Sequence, residues 1–210
     1  MEFDVNAYLG AVTRSVTNLE RDRKPVRSVT LTRSYDTTPD DLWDAITNPE
    51  RLPRSFLPIH GELKIGGRYQ FEGQAGGTIT ACTPPEFVSV TWEYGPQTSW
   101  VEVRIASEGD GRSRFTLSHI CPIDEHWETY GPGAVGVGWD LTIIGFAYHI
   151  AGLSTDHFKD ESWMLSAETK AFIFGASEDW SRAAIAAGDN PAHAEAAARR
   201  TAGFYTGEEL

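Results

Sequence analysis

Apolar residues recur at two different periods along this chain, and the change of period divides it. Over residues 4–20, Val5, Leu9, Val12, Val16 and Leu19 stand at alternating steps of four and three, the stripe of a helix. Arg21-Asp22-Arg23-Lys24-Pro25 follows as a charged link whose proline ends that helix. From Val26 the period becomes two: Val29 and Leu31 alternate with Thr30 and Thr32 and predict a first strand. Thr38-Pro39-Asp40-Asp41 then opens a helix, with Thr38 as N-cap and Pro39 at the first helical position. Leu42, Trp43 and Ile46 form its buried side, Asn48-Pro49 ends it, and a second short helix is expected over 49–54.

Beyond Pro58, short alternating runs predict strands at 62–65, 68–72, 78–83, 87–94, 100–106 and 114–120. Gly66-Gly67, Gly76-Gly77, Pro84-Pro85, Gly95-Pro96 and Gly109-Asp110-Gly111 separate them. Connections this short imply an antiparallel meander. Parity puts Tyr69, Phe71, Val88, Val90, Trp92, Tyr94, Val101, Val103, Ile105, Phe115, Leu117 and His119 on one face. Arg68, Glu72, Glu93, Glu102, Arg104 and Arg114 fall on the other. Such a sheet needs a cover on its apolar face. The long apolar helix expected at 134–152 supplies it, with Trp139, Ile143, Phe146 and Ile150 spaced four, three and four. At 1.5 Å per residue that helix is about 25–28 Å long, enough to cross the sheet. The last stretch predicts two Ala-rich helices, 160–187 and 191–203, split by Gly188-Asp189-Asn190-Pro191. Trp163, Phe172, Phe174, Trp180, Phe204 and Tyr205 give these helices aromatic groups with which to dock.

Composition narrows the possible partners. Among 210 residues, 18 Lys plus Arg face 30 Asp plus Glu, a formal charge of −12. No Lys or Arg occurs between Arg114 and Lys159, where Asp124, Glu125, Glu128, Asp140 and Asp156 lie. Nucleic acid and anionic membrane, which need clustered cations, are therefore not expected as partners. The apolar run 134–153 approaches the length of a membrane span, but Asp140 near its middle and the lack of flanking cations read as a buried helix. Cys82 and Cys121 are too few for a disulfide framework, and the acidic start Met1-Glu2-Phe3-Asp4 does not resemble a secretory signal. The expected compartment is the cytoplasm.

The segment from Thr38 to Glu50 (TPDDLWDAITNPE) resembles the opening helix of the SRPBCC (START/Bet v-type) superfamily. Gly66-Gly67-Arg68-Tyr69-Gln70-Phe71, Val90-Thr91-Trp92-Glu93, Leu117-Ser118-His119 and Gly136-Val137-Gly138-Trp139 are similar to the branch named after the activator of the heat-shock protein 90 ATPase. The resemblance covers about residues 26–152 in the family's order. It implies an α+β helix-grip fold, an antiparallel meander wrapped on a long C-terminal-side helix. Extra helices are expected at both ends, giving an N-terminal helical extension over 1–25, the grip over 26–153 and a C-terminal helical extension over 154–210. It also implies an apolar cavity between sheet and helix for a small apolar or aromatic molecule. The residues expected to line that cavity are Tyr69, Phe71, Trp92, Val103, Phe115, Leu117, His119, Trp139, Ile143 and Phe146. Trp92, Trp139 and Phe146 stand equally as ligand walls or as core.

Other chemistry finds less support. Gly131-Pro132-Gly133-Ala134-Val135-Gly136 satisfies GxGxxG, but a dinucleotide site needs it directly after a strand, and the preceding strand ends about ten residues earlier. His119, Cys121, Asp124, Glu125, His126 and Glu128 are metal-capable, yet lack paired CxxC or His spacing; a solvated acidic loop explains them. No GxSxG, HExxH or P-loop occurs, and no cofactor is expected. His119, among apolar walls, can bond a ligand's polar head, act as a base, or be a strand-end histidine satisfied by a carbonyl or water. Asp140 is expected to face solvent or cap a neighbour.

The function expected is non-catalytic binding of a small apolar or amphipathic ligand. Two alternatives stand beside it: a co-chaperone-like, stress-response interaction module that contacts a chaperone, and a cyclase- or hydrolase-type enzyme of the same superfamily. The narrow N-terminal stripe needs a partner helix, which the C-terminal helices can supply from the same chain or from a second copy. A homodimer is the expected assembly.

Overall fold

The computed structural model describes residues 3–208, apart from the side chains of Lys159 and Glu161. The chain opens with helix α1 (Val5–Gly10) and strands β1 (Thr13–Arg21) and β2 (Lys24–Tyr35). Helix α2 (Pro39–Thr47) and a 3-10 turn (Leu52–Arg54) follow. Six strands come next: β3 (Ile59–Gly61), β4 (Arg68–Phe71), β5 (Gly76–Thr83), β6 (Phe87–Tyr94), β7 (Gln97–Gly109) and β8 (Arg112–Pro122). The remainder is helical: α3 (Glu125–Tyr130), α4 (Gly133–Ile150), a 3-10 turn (Asp156–Lys159), α5 (Glu161–Met164), α6 (Ala167–Ala186) and α7 (Pro191–Thr206). The eight strands run in the order β1-β2-β8-β7-β6-β5-β4-β3, and the pairs from β3 to β8 are antiparallel.

Two compact units share these elements. One holds Met1–Leu31, Pro122–Leu141 and Asp156–Leu210; the other holds Thr32–Cys121 and Thr142–Thr155. The second unit contains the grip. Thr38 caps α2 by accepting from the Asp41 amide, and Leu42 and Ala45 are fully buried. The C-terminal half of α4 lies on the sheet: Phe146 meets Phe115 at 6.2 Å between ring centroids, and Tyr35 meets Phe115 edge-on at the same separation. This is the α+β helix-grip fold.

The first unit departs from the helical reading of residues 4–20. Helix α1 stops at Gly10, and Thr13–Arg21 is a strand. The physical reason lies in the step sizes. A step of four keeps a residue on one face of either a helix or a strand, so Val12, just before β1, and Val16 within it are both buried. A step of three changes face in a strand, and Leu19 accordingly stands 43% exposed. β-Branched Thr13, Val16 and Thr17 favour the strand, and Asp22-Arg23 makes a two-residue hairpin turn with φ of 51° and 62°. The strand expected at 62–65 also shifts: Ile59–Gly61 pairs with β4, while Leu63 and Ile65 are exposed.

The N-terminal stripe finds its partner inside this unit. Leu9 occupies the space that a side chain at Gly175 of α6 would need, and Phe3 packs on Tyr8, Trp163 and Phe172. The seam that suggested a second copy is thus filled by the same chain. Asp140, expected to face solvent or cap a neighbour, is 1% exposed. Arg14 of β1 donates to it from Nε at 3.2 and 3.1 Å and from Nη2 at 2.9 Å. Trp180 of α6 donates from its indole at 2.8 Å. Burial pushes this carboxyl above its ordinary range, against the pull of Arg14 and of the Trp180 N–H.

Removing the charge of Asp140 leaves the buried Arg14 with only the partly exposed Asp179 as counter-ion. Asp140→Asn is therefore expected to lower the unfolding free energy by about 3–5 kcal/mol in a urea titration. A loss under about 1 kcal/mol would show that the pair is not what anchors β1 and α6 to α4.

Candidate functional site

The apolar face of the second unit is built by register. His119 lies opposite Val101, Leu117 opposite Val103 and Phe115 opposite Ile105; Val101 and Val103 in turn face Val90 and Val88 across β6. Burial decreases from β8 towards β6. Phe115, Leu117 and His119 are 2–4% exposed and Val101, Val103 and Ile105 are buried, whereas Val88, Val90 and Trp92 are only half-buried. Beyond them Tyr94 is exposed, at the end of β6, and does not join the face despite its parity. The cover over the face is thus tighter on β8 and β7 than on β6, and it tightens again beyond β6, where Ile79, Tyr69 and Phe71 are buried.

An aromatic row crosses the face, from buried Tyr69 and Phe71 of β4 through half-buried Trp92 to buried His119. Phe56 packs edge-on against Phe71 at 5.0 Å, Tyr69 meets Phe71 at 5.5 Å, Phe71 meets Trp92 at 5.7 Å, and Trp92 meets the His119 ring at 5.9 Å. At the end of this row lies one polar pair: Ser99 Oγ stands 2.7 Å from His119 Nε2. Ser99 is the register partner of Trp92, and its hydroxyl also lies 3.3 Å from the Trp92 carbonyl. Burial pushes the His119 imidazole down to about 3, so it is neutral at physiological pH. The phenols nearby are committed elsewhere. Tyr69 donates to the Thr91 carbonyl at 2.7 Å and Tyr35 to the Ile143 carbonyl at 3.5 Å; burial raises both.

Of the residues expected to line the site, Tyr69, Phe71, Trp92, Val103, Phe115, Leu117, His119, Ile143 and Phe146 all fall in this unit. Ring contacts bring Tyr69, Phe71, Trp92 and His119 into one row and Phe115 and Phe146 into another. Trp139, half-buried, belongs to the part of α4 in the first unit. Ser99 and Phe56 were not singled out by pattern. Parity two places before Val101 marks Ser99, whereas nothing in the pattern of the 52–58 segment marks Phe56. A latch in the same unit was also unmarked. Arg51 donates to Asp41 at 2.7 Å, to Asp44 at 3.0 Å and, from Nε, to His149 Nε2 at 3.0 Å. It ties α2 and the following turn to the end of α4, and burial with Arg51 and Arg54 lowers the His149 pKa.

The remaining motifs have structural duties in the first unit. A side chain at Gly133 would meet Thr201, and one at Gly136 would run into the Trp180 ring, so these glycines of the GxGxxG match admit α7 and α6. Asp124 caps α3 by accepting from the Trp127 amide at 2.9 Å, and His126 packs on Tyr130. Among the described residues no three His, Cys, Asp or Glu side chains are placed to hold a metal ion. An open cavity of about 970 Å³ lies between α1, β1 and α6, walled by Leu9, Val12 and Phe174. Its buried cation, Arg14, is already paired with Asp140 and Asp179. Among the described residues no helix is long and apolar enough to cross a membrane.

The family model of the activator of Hsp90 ATPase homolog 1-like proteins matches residues 36–147, just over half of the chain, and the chain belongs to that family. Among solved structures it is similar to CalU16 from Micromonospora echinospora. The crystal structure of CalU16 is 27% identical, with a TM-score of 0.65 over 83% of this chain and 99% of that one. Its solution structure is 26% identical, with a TM-score of 0.70 over 84% and 97%. PFC0360w, an HSP90 activator from Plasmodium falciparum, shares the fold at 22% identity, with a TM-score of 0.52 over 60% of this chain and 96% of that one. No curated protein matches the chain.

The burial of His119 has a measurable consequence. Its imidazole titrates near 3 when folded and near 6.5 when unfolded, so between these values the unfolded chain binds the extra proton. The stability His119 contributes is complete above pH 6.5 and is lost as the pH falls towards 3, by up to about 1.4 kcal/mol per pH unit. His119→Gln is expected to flatten the acid-side decline of unfolding free energy measured in urea at pH 6.5, 5.5 and 4.5. Equal slopes in both proteins would show that the imidazole does not titrate from a buried site.

Proposed function

We propose that this member of the family binds a small apolar or amphipathic molecule on the less covered part of the grip's apolar face, against Trp92 and the half-buried valines of β6. The observation that carries the reading is the dip in burial on one continuous apolar face, at a half-buried tryptophan beside a buried polar pair. A fully closed face would be core and nothing else. Here β8 and β7 give the rigid floor, Phe71 and Trp92 give aromatic walls, and Ser99 with His119 gives the one polar contact that orients a ligand. Sites for small molecules have this composition: mostly apolar lining and few, fixed polar groups.

The test uses N-phenyl-1-naphthylamine, a neutral fluorescent probe. Its emission is expected to rise saturably on addition of the protein and to be displaced by unlabelled aromatic compounds. Trp92→Ala is expected to weaken the probe several-fold at little cost in stability. Phe146→Ala, at a position 5% exposed, is expected to cost about 3–5 kcal/mol of stability because the ring is core. Absence of saturable binding overturns the reading.

A further inference from the structure

The polar pair also limits which head group such a ligand carries. A serine hydroxyl has one proton and two acceptor lone pairs. Ser99 has two neighbours for that proton, His119 Nε2 at 2.7 Å and the Trp92 carbonyl at 3.3 Å. If the proton goes to the imidazole, both lone pairs of Ser99 stay open on its half-buried side. If it goes to the carbonyl, His119 Nε2–H donates to Ser99 and one lone pair stays open. In both arrangements the proton of Ser99 is spent inside the protein, and what Ser99 presents is an acceptor. A ligand oxygen that only accepts meets lone pair against lone pair.

The surroundings are equally restrictive about charge. The aligned positions of this face, from Tyr69 and Phe71 through Val88, Val90 and Trp92 to Ser99, Val101 and His119, include no Lys, Arg, Asp or Glu. The nearby cations and acids pair on the opposite face, Arg68 with Glu93 at 2.8 Å. A carboxylate brought to the row loses its hydration and gains no counter-ion from the row itself, because the buried imidazole stays neutral and the cation of this face, Arg33 of β2, lies over Tyr35 rather than in the row. An ammonium head loses its hydration in the same way.

We propose that the site selects neutral aromatic ligands that donate one hydrogen bond, a phenol or an alcohol, to Ser99 Oγ, and rejects the matching carboxylates. This rests on the binding reading above, and the probes separate the two. Naphthalene, 2-naphthol, 2-methoxynaphthalene and 2-naphthoate share one ring system and differ only in the head group. Their dissociation constants are read by displacement of N-phenyl-1-naphthylamine from the full chain at pH 7. The expected order places 2-naphthol about five- to tenfold tighter than naphthalene, the scale of one net hydrogen bond. 2-Methoxynaphthalene, which has the oxygen without the proton, is expected at the naphthalene level, and 2-naphthoate at least about tenfold weaker than 2-naphthol. Ser99→Ala is expected to bring 2-naphthol down to the affinity that the same variant shows for naphthalene. The methoxy comparison needs no variant and so holds whether or not Ser99→Ala folds. Binding of 2-naphthoate or 2-methoxynaphthalene as tight as 2-naphthol overturns the donor rule and leaves the apolar site standing. Failure of naphthalene and of every other member to displace the probe overturns the binding reading and this inference with it.

Discussion

A single carboxylate inside helix α4 organises the first unit. Asp140 sits where water does not reach, so its charge must be met by protein donors or the helix cannot pack. Arg14 and Trp180 meet it, one from β1 and one from α6. Each is held in turn. Arg14 also donates to the carbonyls of Leu9 and Val12, where the chain passes from α1 to β1, and to Asp179 at 2.8 Å. The Trp180 ring reaches Asp140 because Gly136, one helical turn earlier, has no side chain to block it. The end of α1, the start of β1 and the seat of α6 on α4 therefore follow from one buried acid.

The carbonyls at the end of α3 show the same economy. Glu128, Thr129 and Tyr130 have no partners within so short a helix. Three side chains of α7 supply them: His193 lies 3.1 Å from the Glu128 oxygen, Arg200 donates to Thr129 at 2.6 Å and Thr201 to Tyr130 at 2.8 Å. Tyr205 adds a bond to the Ala134 carbonyl at the first turn of α4. The Ala-rich C-terminal helices are thus bound by polar groups at their ends as much as by apolar area.

The period-two runs were legible because each buried residue on β4, β7 and β8 repeats the rule of its neighbours. The cap at Thr38 was legible because capping depends on four consecutive residues. What escaped depends on partners distant in sequence. The stripe from Val5 to Leu19 fits a helix until Arg14 is known to need Asp140, 126 positions on. Asp140 itself reads as a surface charge until Arg14 and Trp180 are placed. In the grip, the tyrosines and tryptophans announced an aromatic row, but the pairing of Ser99 with His119 needed the β7–β8 register, set by the long hairpin between them. Phe56 and the Arg51–His149 contact come from a segment with no periodicity to read.

The separation of charges between the two sheet faces bears directly on what the grip can hold. Arg104 lies over Phe87 at 4.2 Å, Arg114 pairs with Glu108 and Arg68 with Glu93, all on the wet face. Parity alone enforces this, since a one-residue slip in β6 would turn Glu93 inward and Trp92 outward. The strands that carry the row, β4 and β6 to β8, consequently place no charged side chain on this face, even though the chain as a whole carries −12; the cation on it is Arg33 of β2, which lies over Tyr35 at 5.4 Å. Long-range and local electrostatics then act in the same sense on an anionic molecule. The net negative field disfavours its approach, and the uncharged row offers it nothing in exchange for its hydration. A neutral molecule feels neither penalty and gains the whole of the aromatic contact. Selection against anions is thus a property of the sheet's alternation together with the chain's composition, before any one residue recognises a head group.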